Sequence, residues 1–148
     1  MRISAKARYA IAATISMAQN YEKGECITLI KLSENLSISK IYLEQVFSLL
    51  KRAEIVSSTK GAQGGYQLSK NPSAITALDI LSAIETPLFE KTADTVSERA
   101  IDIENAMQII IFKQMNNSMK EFLSKISLTD LVAEAAKHKN NEGYMFYI

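Results

Sequence analysis

Between Ser4 and about Tyr21 the apolar positions recur every three to four residues. Ala7, Ala10, Ile11, Ile15 and Ala18 share one face, and Tyr9, Ala13 and Met17 widen it. That period predicts a helix. Thr14 falls on the same face, where its hydroxyl can bond a carbonyl of the preceding turn. Gly24 ends the helix in a short polar loop. A short second helix is predicted from its cap Thr28 to about Asn35, with Leu29, Ile30 and Leu32 inward. After Leu36-Ser37-Ile38, Ser39 caps a third helix that runs to about Ala53. Its core face reads as Ile41 or Tyr42, Leu43, Val46, Leu49 and Leu50.

The period then changes. Ile55-Val56-Ser57-Ser58-Thr59 is extended and rich in β-branched residues, Lys60 to Gly65 is a turn, and Tyr66-Gln67-Leu68 alternates again before Asn71-Pro72. This predicts a β-hairpin. Short helices followed directly by a hairpin make a winged helix-turn-helix pattern. Thr76-x-x-Asp79 opens a fourth helix as a capping box, and Thr86-Pro87 closes it. Residues 88–96 read as loop. From about Ser97 to Ile126 one long amphipathic helix is predicted, with Ile103, Met107, Ile110, Ile111, Met115, Met119, Phe122 and Ile126 in one stripe. It would span ~45 Å, too long to be covered by a head of about 75 residues, so the stripe reads as a seam for a partner helix. Ser127 or Thr129 starts a last helix, and the sequence closes on Gly143-Tyr144-Met145-Phe146-Tyr147-Ile148.

Composition narrows the class. A chain of 148 residues with 47% hydrophobic residues can bury a core as one domain, or as a small domain with an extension. Scarce Gly (5) and Pro (2) and absent Trp favour a mainly helical protein over many short strands. The one cysteine, Cys26, allows no internal disulfide and no cysteine-ligated cluster within one chain. No apolar run approaches about 18 residues, so no membrane span is expected. Met1 to Lys6 lacks a signal-peptide core, and a reduced, cytoplasmic protein is the expectation. Net charge is +1, but its distribution is uneven. Residues 1–72 hold 10 Lys+Arg against 5 Asp+Glu, and residues 73–148 hold 7 against 11. A basic half joined to an acidic half suits a nucleic-acid head on a non-binding body.

Few residues suggest catalysis. Gly61, Gly64 and Gly65 match neither a dinucleotide fingerprint nor a Walker motif, and they read as turn glycines. His138 stands alone in a Lys-His-Lys run, far in sequence from Cys26, and no nucleophile pair or metal set is formed. The third helix instead carries Ser39, Lys40, Glu44, Gln45, Ser48, Lys51 and Arg52 outside its apolar face. That suits a recognition helix, in which Gln45 pairs with adenine and Glu44 accepts from cytosine N4. Lys6 and Arg8 would hold phosphates. Lys60 and Gln63 at the hairpin tip would reach backbone or minor groove.

Arg2-Ile3-Ser4-x-Lys6-x-Arg8-Tyr9-Ala10, Tyr42-Leu43-Glu44-Gln45, Gly61-x-x-Gly64-Gly65-Tyr66 and Ile75-Thr76-x-x-Asp79-Ile80 resemble the IscR-type winged-helix transcription regulators. Tyr144-Met145-Phe146-Tyr147-Ile148 resembles the narrower CymR group of cysteine-metabolism repressors. The resemblance covers essentially the whole chain. It implies a homodimer with crossed long helices and two winged heads on a palindromic double-stranded DNA operator. Ser39, Tyr42, Glu44 and Gln45 match the family's recognition helix, and Lys60 matches its wing. Lys60 stands where the family often has Arg, which weakens bidentate minor-groove contact. Ile41 replaces a polar residue of some relatives, so the operator does not carry over. The iron–sulfur members have three cysteines between the fourth and fifth helices; residues 86–105 here have none, and no cofactor is expected.

The expected organisation is a DNA-binding domain over 1–85, a loop over 86–96, and a dimerisation helix with a C-terminal helix and tail over 97–148. Met107, Ile110, Ile111, Met115, Met119 and Phe122 form the dimer seam. The expected function is a cytoplasmic homodimeric repressor of cysteine or sulfur metabolism genes, not an enzyme. A regulator of iron–sulfur assembly or redox stress without its own cluster is the alternative. A protein-interaction adaptor that binds a metabolic enzyme through its tail is the competitor from another class. Cys26 is a candidate redox residue. Tyr147 and Ile148 are a candidate tail for cysteine synthase, a partner the CymR-like resemblance supplies, read through an aliphatic side chain and a terminal carboxylate.

Overall fold

The computed structural model describes residues 2–96 and 98–145, the last six of these by backbone only. The described residues are mostly helical (68%), and their strands form one two-stranded antiparallel hairpin. In order, the elements are α1 (Ala5–Gln19), α2 (Leu29–Leu36), α3 (Lys40–Arg52), β1 (Val56–Thr59), β2 (Gly65–Leu68), α4 (Ala77–Ile84), α5 (Ile101–Met107), α6 (Lys113–Ser124) and α7 (Leu128–Met145). A π-helical segment, Gln108–Phe112, joins α5 to α6 without a break. This is a winged helix-turn-helix head with a long helical extension.

Local chemistry sets the boundaries. The Ser4 hydroxyl accepts from the Ala7 N–H at 3.1 Å, and the Thr28 hydroxyl accepts from the Lys31 N–H at 3.2 Å. Thr76 and Asp79 complete a reciprocal capping box, with bonds of 2.9 and 3.1 Å. Ser127 and Asp130 repeat that exchange at 2.9 and 3.1 Å, so Ser127 rather than Thr129 opens α7. Each such cap contributes roughly 1 kcal/mol. Gly24, with φ of 66°, closes a 3₁₀ turn over Tyr21–Lys23 after α1 has already ended. Thr14 bonds the Ala10 carbonyl at 2.8 Å.

Phe47, Leu43, Val46 and Leu50 of α3 pack with Leu32, Ile75, Ile80, Val56 and Leu68 in the head core. Each such buried side chain contributes roughly 1.5–3 kcal/mol. Leu128, fully buried, joins the same cluster from the start of α7. Backbone bonds brace that junction: the Ala77 N–H donates to the Ile126 carbonyl at 2.8 Å, and the Leu128 N–H to the Ile75 carbonyl at 2.9 Å.

Several expectations are corrected. Ile30, expected inward on α2, is 56% exposed, and Leu32 is the buried residue of that helix. The core face of α3 excludes both Ile41 and Tyr42, which are exposed, and includes Phe47. At about 100° per residue, an arc centred on Leu43, Val46, Phe47 and Leu50 leaves Ile41 on the far side of the helix. The long helix starts at Ile101, after a 3₁₀ turn over Glu98–Ala100, and ends at Ser124. Glu104 and Gln108 hold the loop over residues 92–96 that precedes it. Among the described residues no helix is long and apolar enough to cross a membrane.

Candidate nucleic-acid interface

The exposed face of α3 follows from its buried one. Ile41, Gln45, Ser48 and Arg52 succeed one another at i, i+4, i+7 and i+11, opposite the core, and all four are exposed. Glu44 stands beside this line. Lys6, from the first turn of α1, meets Glu44, Gln45, Ser48 and Leu49 around an open concavity of about 440 Å³. The structure therefore brings Lys6, Glu44 and Gln45 together. Arg8 is exposed but does not line that concavity. Lys40 pairs with Glu44 at 3.5 Å, both more than half exposed. A surface pair of this kind is worth about 0.3–0.5 kcal/mol and yields readily to a stronger partner.

Ser39 occupies the cap position of α3 but its side chain makes no capping bond. Tyr42 is half exposed, and its ring lies 5.8 Å from that of Tyr9 with the planes 58° apart. The pair fixes α3 against α1 while leaving one side of Tyr42 open. The Ser4 N–H donates to the Glu85 carboxylate at 2.6 Å, tying the start of α1 to the end of α4.

The wing is built from the register Val56 with Leu68, Ser57 with Gln67, Ser58 with Tyr66 and Thr59 with Gly65. Lys60 and Gln63 stand exposed at its tip. A β-carbon at Gly64 would run into the Thr59 carbonyl. One at Gly65 would come within 2.5 Å of the Ile27 carbonyl oxygen, at a φ of 145° that side chains avoid. That close approach lets Ile27 and Tyr66 exchange two backbone bonds of 2.9 and 2.7 Å. The Phe47 and Tyr66 rings meet edge to face at 4.8 Å, and the Lys51 ammonium donates to the Ser58 hydroxyl at 2.7 Å. The wing is thus fastened to the third helix by an edge-to-face ring contact and a side-chain bond, and to the loop before α2 by the Ile27 bridge. Cys26, half buried, immediately precedes that bridge.

On the long helix, Ile110, Ile111, Met115 and Phe122 are exposed, Ile110 at 72% and Phe122 at 66%; Met107 and Met119 are half buried. His138 lies 3.1 Å from Glu134 on the surface of α7. Tyr147 and Ile148 lie outside the described residues.

One polar constellation escaped the sequence reading. Glu104 and Gln108, 3% and 5% exposed, sit beneath the loop before α5. The Thr95 and Val96 N–H groups donate to Glu104 Oε2 at 2.8 and 3.1 Å, and Gln108 Nε2 donates to Glu104 Oε1 at 2.9 Å and to the Thr92 carbonyl at 3.0 Å. Gln108 bonding first, then the Thr95 and Val96 amides, holds the Glu104 carboxyl below its ordinary value. Ser4 does the same for Glu85. A polar i, i+4 pair beside an apolar stripe looks like its solvated border; only the covering loop makes it buried.

The family model Rrf2, described as iron-dependent transcriptional regulator, matches residues 3–134. CymR of Bacillus subtilis is 32% identical over 148 residues, covering 100% of both chains. IscR of Yersinia enterocolitica is 31% identical over 147 residues, covering 96% of this chain and 88% of its own. The solved structure of CymR, the global cysteine regulator of B. subtilis, superposes with a TM-score of 0.73 at 30% identity, covering 90% of this chain and 98% of that one. The residues here do not fit an iron centre. The sequence has one cysteine and one histidine, on the loop before α2 and on α7, and no group of three metal-ligating side chains gathers among the described residues.

Proposed function

Because the chain belongs to the Rrf2 family, and is a DNA-binding transcription regulator rather than an enzyme, we propose that it acts as a homodimeric repressor of cysteine or sulfur metabolism genes. One observation carries the reading: a polar reading face on α3 and an exposed apolar face on the long helix occur in the same chain. The first suits base edges in a major groove. The second suits an identical helix related by a two-fold axis, because an isologous contact covers the same patch on both copies. Full-length similarity to CymR supports the sulfur assignment.

In this reading Gln45 and Glu44 read bases, and Ser39, Lys40, Tyr42, Lys6 and Arg8 contact the backbone. Lys60 and Gln63 bring the wing to the flanking groove. The operator is palindromic, with half-sites one or two DNA turns apart. Association with cysteine synthase is the partner arm of the proposal, tested by pull-down with full-length protein and with a variant lacking Tyr147 and Ile148. Similarity to IscR favours one second reading, control of iron–sulfur assembly genes. Footprinting of bound genomic DNA separates the two: enrichment of sulfur-assimilation promoters supports the first, and enrichment of cluster-assembly promoters replaces it with the second.

A further inference from the structure

Ile41 is out of place by the ordinary logic of helix patterning. It is 67% exposed, in the first turn of α3, diametrically opposite Leu43, Val46, Phe47 and Leu50. The residues that share its line, Gln45, Ser48 and Arg52, are all polar. Among the described residues it joins no hydrophobic cluster.

A solitary exposed apolar side chain needs no explanation on an arbitrary surface. This one is not on an arbitrary surface. The N-terminal residues of a recognition helix are the ones that meet base edges, and Ile41 is the most N-terminal residue on the outward line. Its side chain has no donor or acceptor, so it cannot read a hydrogen-bonding pattern. The one feature of the major groove that an aliphatic side chain can read is the thymine C5-methyl group. Gln45, one turn on, presents an amide suited to adenine.

We propose that Ile41 is a specificity-determining residue that contacts a thymine 5-methyl group in each half-site. The proposal rests on the DNA-binding reading of α3. Burying one methyl-sized group corresponds to about 4-fold in affinity for each half-site. Because Ile41 supports no packing in the head, its replacement leaves the fold intact.

The test begins with selection of a binding site from random-sequence duplex DNA by the wild-type protein. Each thymine of the selected site is then replaced by deoxyuridine, which keeps base pairing and lacks only the methyl group. The expected result is one symmetry-related thymine pair at which the replacement weakens wild-type binding about 4-fold per half-site. Ile41→Ala, with an unchanged melting temperature, should bind the thymine and deoxyuridine duplexes equally. Equal wild-type binding to every substituted duplex overturns the proposal, as does an Ile41→Ala protein that still distinguishes them. Selection that enriches no sequence removes the DNA-reading role of α3, and this inference with it.

Discussion

Gln108 Nε2 donates to Glu104 Oε1 at 2.9 Å, one helical turn apart, beneath the loop that leads into the long helix. Glu104 spends its other oxygen on the Thr95 and Val96 amides. The carboxylate thereby replaces, for two loop N–H groups, the water they would otherwise bind.

A pH dependence follows. Glu104 and Glu85 are both held below the ordinary carboxyl value of 4.5, by Gln108 and by Ser4 respectively. Folding therefore favours their charged forms. The stability they contribute is present above the ordinary value and is lost as pH falls through the lowered folded values. Melting temperature followed from pH 7 into the acid range should fall in this window. Glu104→Gln should be less stable than wild type at neutral pH, and the gap should narrow on acidification. A gap independent of pH would show that the charge of Glu104 contributes nothing.

Glu54 sits at the left-handed position that ends α3, with φ of 61°. The Ile55 N–H reaches back to the Leu50 carbonyl and the Glu54 N–H to the Lys51 carbonyl, both at 3.0 Å. That pattern is a Schellman motif, in which glycine is the favoured residue. Glu54→Gly should stabilise the protein by ~0.5–1 kcal/mol, read as a higher denaturant midpoint at unchanged slope.

Lys6→Ala should weaken binding to specific and random DNA alike and lower the slope of log affinity against log salt by ~1. Gln45→Ala and Glu44→Ala should cost ~1–3 kcal/mol on the selected site and much less on random DNA. Equal losses on both DNAs would move these two residues from base reading to backbone contact.

Ile110→Glu places a carboxylate on the exposed apolar line of the long helix. In the homodimer reading it yields a folded monomer, because two like charges would face each other across a two-fold axis. Light scattering at micromolar concentration measures the state directly. A wild-type protein that is already monomeric would end the dimer reading.

Much of the head is legible in the sequence because its signals are local. Thr28, Thr76 and the period of α1 each act within a turn or two. The β-branched run at Ile55–Thr59 and the glycines after it mark the wing in the same way. Ile41 and Tyr42 fit the expected core face because an apolar residue at a helix start suits more than one face, and only the packed arc, which takes in Phe47, decides. Glu104 and Gln108 were missed because their burial depends on a loop eight to sixteen residues away. The side of α3 that meets Lys6 is likewise a product of how α1 crosses it.

The π-helical segment Gln108–Phe112 carries a surplus residue. Eighteen residues of ideal α-helix complete about five turns, so residues 19 apart should be out of phase by about 100°. Ile103 and Phe122 are 19 apart, on either side of the segment. The extra residue widens one turn and brings the two back into phase, so that the apolar line keeps to one side of the helix along its length. Were the segment to wind as ideal α-helix at its full length, Phe122 would turn about 100° away from Ile103 and the line would split into two half-length patches; with one residue deleted between 108 and 112 the two would be 18 apart, and ideal α-geometry would keep the line whole. In a chain whose assembly depends on that line, loss of one residue from the segment would therefore be a milder lesion than a charged substitution along it.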